Sequence, residues 1–347
     1  MPFAPLMHAD KFLGAIAVAL TAAPGLVLAF ISSAEAVGFQ QVSIPDAVDR
    51  PLSVGIWYPS ASPVLQRPLE LYSQEVAPDG MASGDRLPLI VMSHGTGESF
   101  SAHYDTAIAL AAAGFVVAAV THTGDNYGDR SYAFTERNFA ERARHIRQVI
   151  DYMLDTWPEH QRLDPKRIGA FGHSAGGFTV LLAVGGIPTF GRAVQFCAEH
   201  PEAWECRQMG QVRHDRPPSN DLTNFASAHD LRIRAAVIAA PAAVFNFTSN
   251  GLAQVTIPLQ LWSASDDKIT PPQWNTEVVR TMLPVAPEFR AVSGAGHFAF
   301  VAPCSEALAN VAALLCGDPP GFDRVAFHRD FNRSVVAFFV AQLGGTP

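Results

Sequence analysis

The stretch Arg167-Ile168-Gly169-Ala170-Phe171-Gly172-His173-Ser174-Ala175-Gly176-Gly177-Phe178-Thr179-Val180-Leu181-Leu182-Ala183-Val184 reads as a strand, a turn and a helix in immediate succession. Arg167 to Phe171 is short, apolar and compatible with a strand, and Gly177 to Val184 is apolar enough for a buried helix. Between them, Gly172-His173-Ser174-Ala175-Gly176 is a G-x-S-x-G on a strand-to-helix turn, the arrangement called a nucleophile elbow. The small residues on either side let the backbone turn sharply and lift the Ser174 hydroxyl clear of the sheet. The helix that begins there aims its free N–H groups and its positive dipole end at that hydroxyl.

Outward from the elbow, strand and helix patterns alternate from about residue 50 to the end of the chain. Leu87 to Ser93 and Phe115 to Val120 are apolar runs of the kind that form parallel strands covered on both faces. Helices are expected from Ala102 to Ala113, closed by Gly114, and from Phe139 to Leu154. Later strands fall at Ile233 to Ala240, Pro258 to Ser263 and near Phe289 to Val292, with helices around Trp274 to Leu283 and from Val325 to Leu343. Ahead of all these, Gly38 to Ser60 reads as two antiparallel strands joined at Pro45-Asp46, and residues 61–86 as loop. Such alternation predicts an α/β fold with a mostly parallel sheet, right-handed crossovers and flanking helices. Residues 186–232 break the rhythm with polar sequence and Pro217-Pro218. A segment this long without a strand is expected to be a lid-like insertion over the active-site end of the sheet.

The 347 residues, 48% of them hydrophobic, suffice for one large core, and a single domain over residues 37–347 is expected. A formal charge of −8 without any basic stripe argues against nucleic acid as a partner. Only 16% of residues are charged and 23 are phenylalanine, which fits a deep core and an apolar cleft. Lys11, the apolar run from Phe12 to Ile31 and Ala34-Glu35-Ala36 read as an export signal over residues 1–36, cleaved at an A-x-A site. The alternative is an uncleaved membrane anchor; Pro24-Gly25 within the run favours cleavage, with no stable anchor afterwards and a periplasmic or secreted destination. The four cysteines fall in two close pairs, Cys197 with Cys206 and Cys304 with Cys316. Short-range pairing is the simplest of the three possible connectivities, and export favours disulfides over free thiols. No C-x-x-C or H-E-x-x-H occurs, so a zinc or thioredoxin-type site is not expected.

A serine hydroxyl needs a base to take its proton, and the base needs an acid to orient it. Behind an elbow of this type the acid and then the histidine follow in chain order. The strand at 258–263 runs into Ala264-Ser265-Asp266-Asp267-Lys268-Ile269-Thr270-Pro271, and the strand near 289–292 into Gly294-Ala295-Gly296-His297-Phe298. The candidates are therefore Ser174 as nucleophile and His297 as base, with Asp266 or Asp267 as the acid. Ser93-His94-Gly95-Thr96-Gly97 follows the strand at 87–92, where glycines allow a backbone N–H to approach a tetrahedral oxygen. The backbone N–H groups of Thr96 and Ala175 are the expected oxyanion donors. His94 is expected to brace that loop, and His122 and Asp125 to line the cleft or join a loop network. Glu136, Arg137, Arg142 and Arg147 read as a solvated helix face.

Ser93 to Gly97, Gly172 to Gly176, Asp267 followed by Pro271, and Gly296-His297-Phe298 together resemble bacterial α/β-hydrolases described as predicted dienelactone hydrolases. These are similar to the platelet-activating-factor acetylhydrolase branch. The resemblance extends to Thr121-His122-Thr123-Gly124-Asp125-Asn126 and to Cys304, and spans most of residues 50–345. It implies an α/β-hydrolase fold, no cofactor, hydrolysis of small-molecule or lipid-like carboxylic esters, and Asp267 as the acid, four residues before Pro271, with Asp266 left to loop amides or water. True dienelactone hydrolases use a cysteine nucleophile, and Ser174 in its place argues against dienelactone as substrate. The alternatives are a peptidase or amidase with the same triad, and a non-catalytic binding protein on the same fold.

Overall fold

Period-two alternation on the central strands divides the side chains between two faces of one sheet. Leu89 and Val91 of the strand Leu87–Ser93 enter one apolar cluster, while Ile90 and Met92 enter the other. The computed structural model describes residues 36–209, 225 and 228–344. The export signal read over residues 1–36 lies outside them except for Ala36, and so do residues 210–224 and 226–227 of the insertion.

The strands are β1 (Ala36–Ile44), β2 (Leu52–Ser60), β3 (Leu65–Leu69), β4 (Tyr72–Pro78), β5 (Leu87–Ser93), β6 (Val116–Thr121), β7 (Leu163–His173), β8 (Ile233–Ala239), β9 (Leu259–Ala264) and β10 (Glu288–Val292). They lie in the order β10-β9-β8-β7-β5-β6-β2-β1-β4-β3. The six strands from β10 to β6 are parallel; β2 joins β6 antiparallel and pairs antiparallel with β1. Residues 61–86 are not simply loop. β3 and β4 form an antiparallel hairpin there, with Tyr72, Gln74 and Val76 buried at alternate positions and the residues between them exposed. That period-two signal is short and interrupted by polar residues, so composition alone concealed it.

Helices α1 (Tyr104–Ala112) and α9 (Arg324–Leu343) cover the face that holds Ile90 and Met92. Helices α2 (Glu136–Asp155) and α3 (Ala175–Ala183) cover the other. Thr135 caps α2 by accepting the Asn138 N–H at 3.1 Å, and Phe139, Ala143, Ile146, Val149, Ile150 and Met153 then face the core at helical spacing. Among the described residues, the insertion carries α4 (Gly191–Glu199) and α5 (Trp204–Met209), joined by the Cys197–Cys206 disulfide. After β9 come α6 (Thr276–Met282), then α7 (Glu306–Val311) and α8 (Ala313–Cys316), where Cys304 is bonded to Cys316. Among the described residues no helix is long and apolar enough to cross a membrane.

The parallel strands β5, β7, β8, β9 and β10 all end on the same edge of the sheet, and the loops that leave that edge carry the chemistry described next. Ligands in open α/β sheets collect at this edge.

Candidate active site

Ser174 follows the last residue of β7 and precedes the first residue of α3. Its backbone has φ 54° and ψ −120°, a left-handed conformation that a side chain rarely adopts. The turn is held from both sides: the Ser174 N–H donates to Ala239 O at 3.0 Å, and Ser174 O accepts from Ala242 N at 3.1 Å. The flanking glycines are required by close approach. A Cβ on Gly172 would stand 2.2 Å from Gly176 O, and one on Gly176 would stand 1.9 Å from Ser93 O.

His297 opens a short turn, His297–Phe300, beyond β10, and its Nε2 lies 2.9 Å from Ser174 Oγ. Its Nδ1 lies 2.7 Å from Asp267 Oδ2. Asp267 Oδ1 accepts the N–H groups of Ile269 at 2.8 Å and Thr270 at 2.7 Å, and Oδ2 also accepts the Thr270 hydroxyl at 2.9 Å. The structure thus brings Ser174, His297 and Asp267 together in one chain of contacts, and all three are buried. Asp266, one residue earlier, points away and pairs with Lys268 at 2.5 Å while half exposed. Thr270, whose hydroxyl also stands 3.0 Å from His297 Nδ1, is a partner that sequence reading passed over.

The charges are coupled accordingly. Burial pushes Asp267 up, but His297 and the Thr270 amide and hydroxyl outweigh it and hold the carboxyl below its ordinary value. Burial likewise opposes the His297 cation, yet Asp267 above all, with Glu98 and Glu205, holds that imidazole above its ordinary value. A histidine raised in this way binds a proton readily from a neighbouring hydroxyl.

The loop after β5 is held rigidly. Asp125 accepts the Gly97 N–H at 3.1 Å and the Asn138 side-chain amide at 2.7 Å, and pairs with Arg142 Nη1 at 2.8 Å. Arg142 also donates to His94 O and, through Nε, to Thr179 Oγ1 at 3.2 Å. Arg142 therefore does not belong to a solvated helix face; it is fully buried, and it ties α2 to α3 and to the loop. Its spacing along α2 placed it correctly on the helix, but only the position of Asp125 made burial of the charge possible. His94 braces the loop: Nε2 accepts the His122 N–H at 3.0 Å, so Nδ1 must carry the proton donated to Gly95 O at 2.6 Å. Burial holds His94 at about 3, so it stays neutral. His122 is fully buried against Ser93 and His145, away from the cleft.

Beside Ser174 opens a pocket whose wall includes Thr96 and Ala175, the two expected oxyanion donors. Ala175 lies in the first turn of α3, where N–H groups have no acceptor within the helix. The remaining wall is largely apolar and aromatic: Phe134, Phe139, Trp204, Met209, Phe245 and Phe298. Trp204 and Met209 come from the insertion, fixed by the Cys197–Cys206 disulfide and by Phe196 stacking on Phe245 at 4.1 Å. Leu314, beside the Cys304–Cys316 disulfide, closes another part. Glu205 is the unexpected member of this wall. It is buried, one oxygen accepts the Ala243 N–H at 2.9 Å, and the other has no hydrogen-bond partner. Burial pushes its carboxyl up to about 7. The sequence offered no signal for it, since nothing in a polar insertion singles out one glutamate.

A family model for platelet-activating factor acetylhydrolase, isoform II, matches residues 73–153. That stretch includes Thr96, Asp125 and Arg142 but not Ser174, Asp267 or His297. Among solved structures, the ferulic acid esterase from Streptomyces cinnamoneus is similar at 20% identity and a TM-score of 0.61, over 90% of this chain and 91% of that one. No curated protein matches the chain. The structural likeness identifies the fold as that of an α/β-hydrolase.

Proposed function

We propose that this chain is an exported serine hydrolase that cleaves carboxylic esters of modest size or lipid-like character. The observation that carries the proposal is the continuous contact from Ser174 Oγ through His297 to Asp267, 2.9 Å and 2.7 Å long, at the wall of an apolar pocket. Ser174 attacks the ester carbonyl as His297 takes its proton; Asp267 orients the imidazole and stabilises its cation. The N–H groups of Thr96 and Ala175 receive the tetrahedral oxygen, each worth about 3–4 kcal/mol of transition-state stabilisation. His297 then protonates the leaving alcohol, and water repeats the sequence on the acyl-enzyme. The family model and the solved esterase support ester hydrolysis over other acyl transfers.

Residues 1–36 act in this reading as a cleaved export signal, and the two disulfides suit the oxidising compartment it leads to. Residues 186–232 serve as a lid-like insertion whose α5 supplies Trp204, Glu205 and Met209 to the pocket. The test is a panel of nitrophenyl esters of increasing acyl length run beside matched amides, with Ser174→Ala as control. Ester turnover that vanishes in Ser174→Ala, together with fluorophosphonate labelling of Ser174, is expected. Near-parental turnover in that variant, or amides cleaved faster than esters, refutes the proposal.

A further inference from the structure

Directly behind the triad lies a second cluster of ligating side chains that the proposed mechanism does not use. Glu98 stands in the loop after β5, His103 ends the short turn Phe100–His103 that leads into α1, and His173 is the last residue of β7. All three are buried. Their proton positions follow from their neighbours. His103 Nδ1 lies 3.0 Å from Phe300 O, and His173 Nε2 lies 3.1 Å from His297 O. A carbonyl oxygen only accepts, so each of these nitrogens carries a proton. In the neutral rings that leaves lone pairs on His103 Nε2 and His173 Nδ1, and neither atom has a hydrogen-bond partner. Both face the Glu98 carboxylate: His103 Nε2 is 3.7 Å from Oε2 and His173 Nδ1 is 3.5 Å from Oε1.

The two unpartnered ring nitrogens thus converge on the Glu98 carboxylate, whose one hydrogen bond among these groups comes from the Gly95 N–H, and neutral rings placed so repel it unless a cation joins them. The spacing discriminates between cations. A proton shared by nitrogen and carboxylate draws them to about 2.7–2.9 Å. A zinc ion with bonds of about 2.0–2.1 Å in tetrahedral geometry holds its ligand atoms about 3.3 Å apart. The observed 3.5 Å and 3.7 Å, which run to the two different oxygens of Glu98, lie well beyond the hydrogen-bonded distance. One ligand atom from each residue lies within 4.8 Å of the others, so modest contraction closes the set.

We propose that Glu98, His103 and His173 bind a divalent transition-metal ion, with zinc the best match to two imidazoles and one carboxylate. Hard cations such as calcium and magnesium favour all-oxygen sets. The outer contacts are those a metal site uses: the carbonyls of Phe300 and His297 fix both tautomers, and the Gly95 N–H donates to Glu98 Oε2 at 2.7 Å. The fourth position falls to water. The ion does not touch substrate; it is a clamp. It joins the loop that carries Thr96, the approach to α1 and the residue immediately before Ser174, and through the two carbonyls it steadies the turn that carries His297. Spacing motifs miss such a site because its ligands come from three separate elements.

The full chain, purified with its disulfides intact, is stripped with a chelator, desalted and incubated with Zn²⁺ or Co²⁺. The expected result is about one tightly held ion per chain, a higher melting temperature, and visible Co²⁺ absorption typical of a four-coordinate N/O site. Glu98→Gln and His103→Ala are each expected to weaken metal affinity by at least about tenfold. A folded parent that retains no Zn²⁺, or variants that hold the ion as tightly as the parent, overturns the proposal. Should the variants fail to fold, X-ray absorption of the zinc-loaded parent decides. Two imidazole nitrogens around the zinc support the site, and a shell lacking them overturns it.

Discussion

Replacing Glu205 with glutamine removes one proton-binding site from the pocket wall and little else. The amide keeps an oxygen to accept the Ala243 N–H, which the carboxylate now binds at 2.9 Å. Burial raises the Glu205 carboxyl from its ordinary 4.5 to about 7; the Ala243 amide and His297 pull the other way and lose. A carboxyl with a raised folded-state pKa holds its proton more tightly when folded. Its favourable contribution to stability is therefore present below the unfolded value and lost as pH rises through the folded one. Between 4.5 and about 7 the loss comes to about 3 kcal/mol, at 1.36 kcal/mol per pH unit. Glutamine does not titrate and so escapes it. Glu205→Gln should match the parent to within about 1 kcal/mol at pH 5 and exceed it by about 3 kcal/mol at pH 8. Urea unfolding at intervals across that range measures the difference directly. A stability difference that does not change with pH, or a glutamine variant weaker than the parent at pH 8, refutes the reasoning. Because Glu205 also helps to raise His297, the acid limb of kcat/KM should move to lower pH in the same variant.

Asp267→Asn should lower kcat on a nitrophenyl ester by about 10⁴, as loss of the orienting acid does in serine proteases, while Asp266→Asn stays near parental; the reverse pattern moves the acid by one residue. In the parent, kcat/KM should rise with pH through an apparent pKa above the ordinary imidazole value, because the base must be neutral and Asp267 outweighs burial at His297. Arg142→Met leaves Asp125 buried without its counter-charge and should destabilise the fold by about 3–5 kcal/mol in urea titration, with a loss of turnover as the loop carrying Thr96 loosens. Peptide mapping without reduction should recover Cys197 linked to Cys206 and Cys304 linked to Cys316, and removing either link should cost roughly 2–3 kcal/mol.

That Ser174, His297 and an aspartate of Asp266-Asp267 would meet was legible because each sits beyond the end of an apolar strand, and a parallel sheet delivers every such strand end to one edge; the choice of Asp267 came from the family resemblance. The helices α2 and α9 showed in their apolar spacing, and the cysteine pairs in their separation. The β3–β4 hairpin did not show, because four of the five residues of β3, at the sheet edge, are exposed and carry little hydrophobic pattern.

Residues whose role depends on a distant partner were the ones sequence misjudged. Arg142 looks like any arginine on an amphipathic helix until Asp125, 17 residues earlier, is found 2.8 Å away in the core. Glu205 looks like a surface glutamate until α5 folds over the pocket and strips it of water. Glu98, His103 and His173 are unrelated in spacing and meet only because β5, α1 and β7 pack together. Local rules of turn, strand end and periodicity act over a few residues, so the chain by itself determined the sheet edge, the elbow and the strand ends that carry Ser174, Asp267 and His297. Burial of charge is a property of the assembled interior, where desolvation and a partner decide together whether an ionisable group is tolerated, and only the tertiary structure decided that.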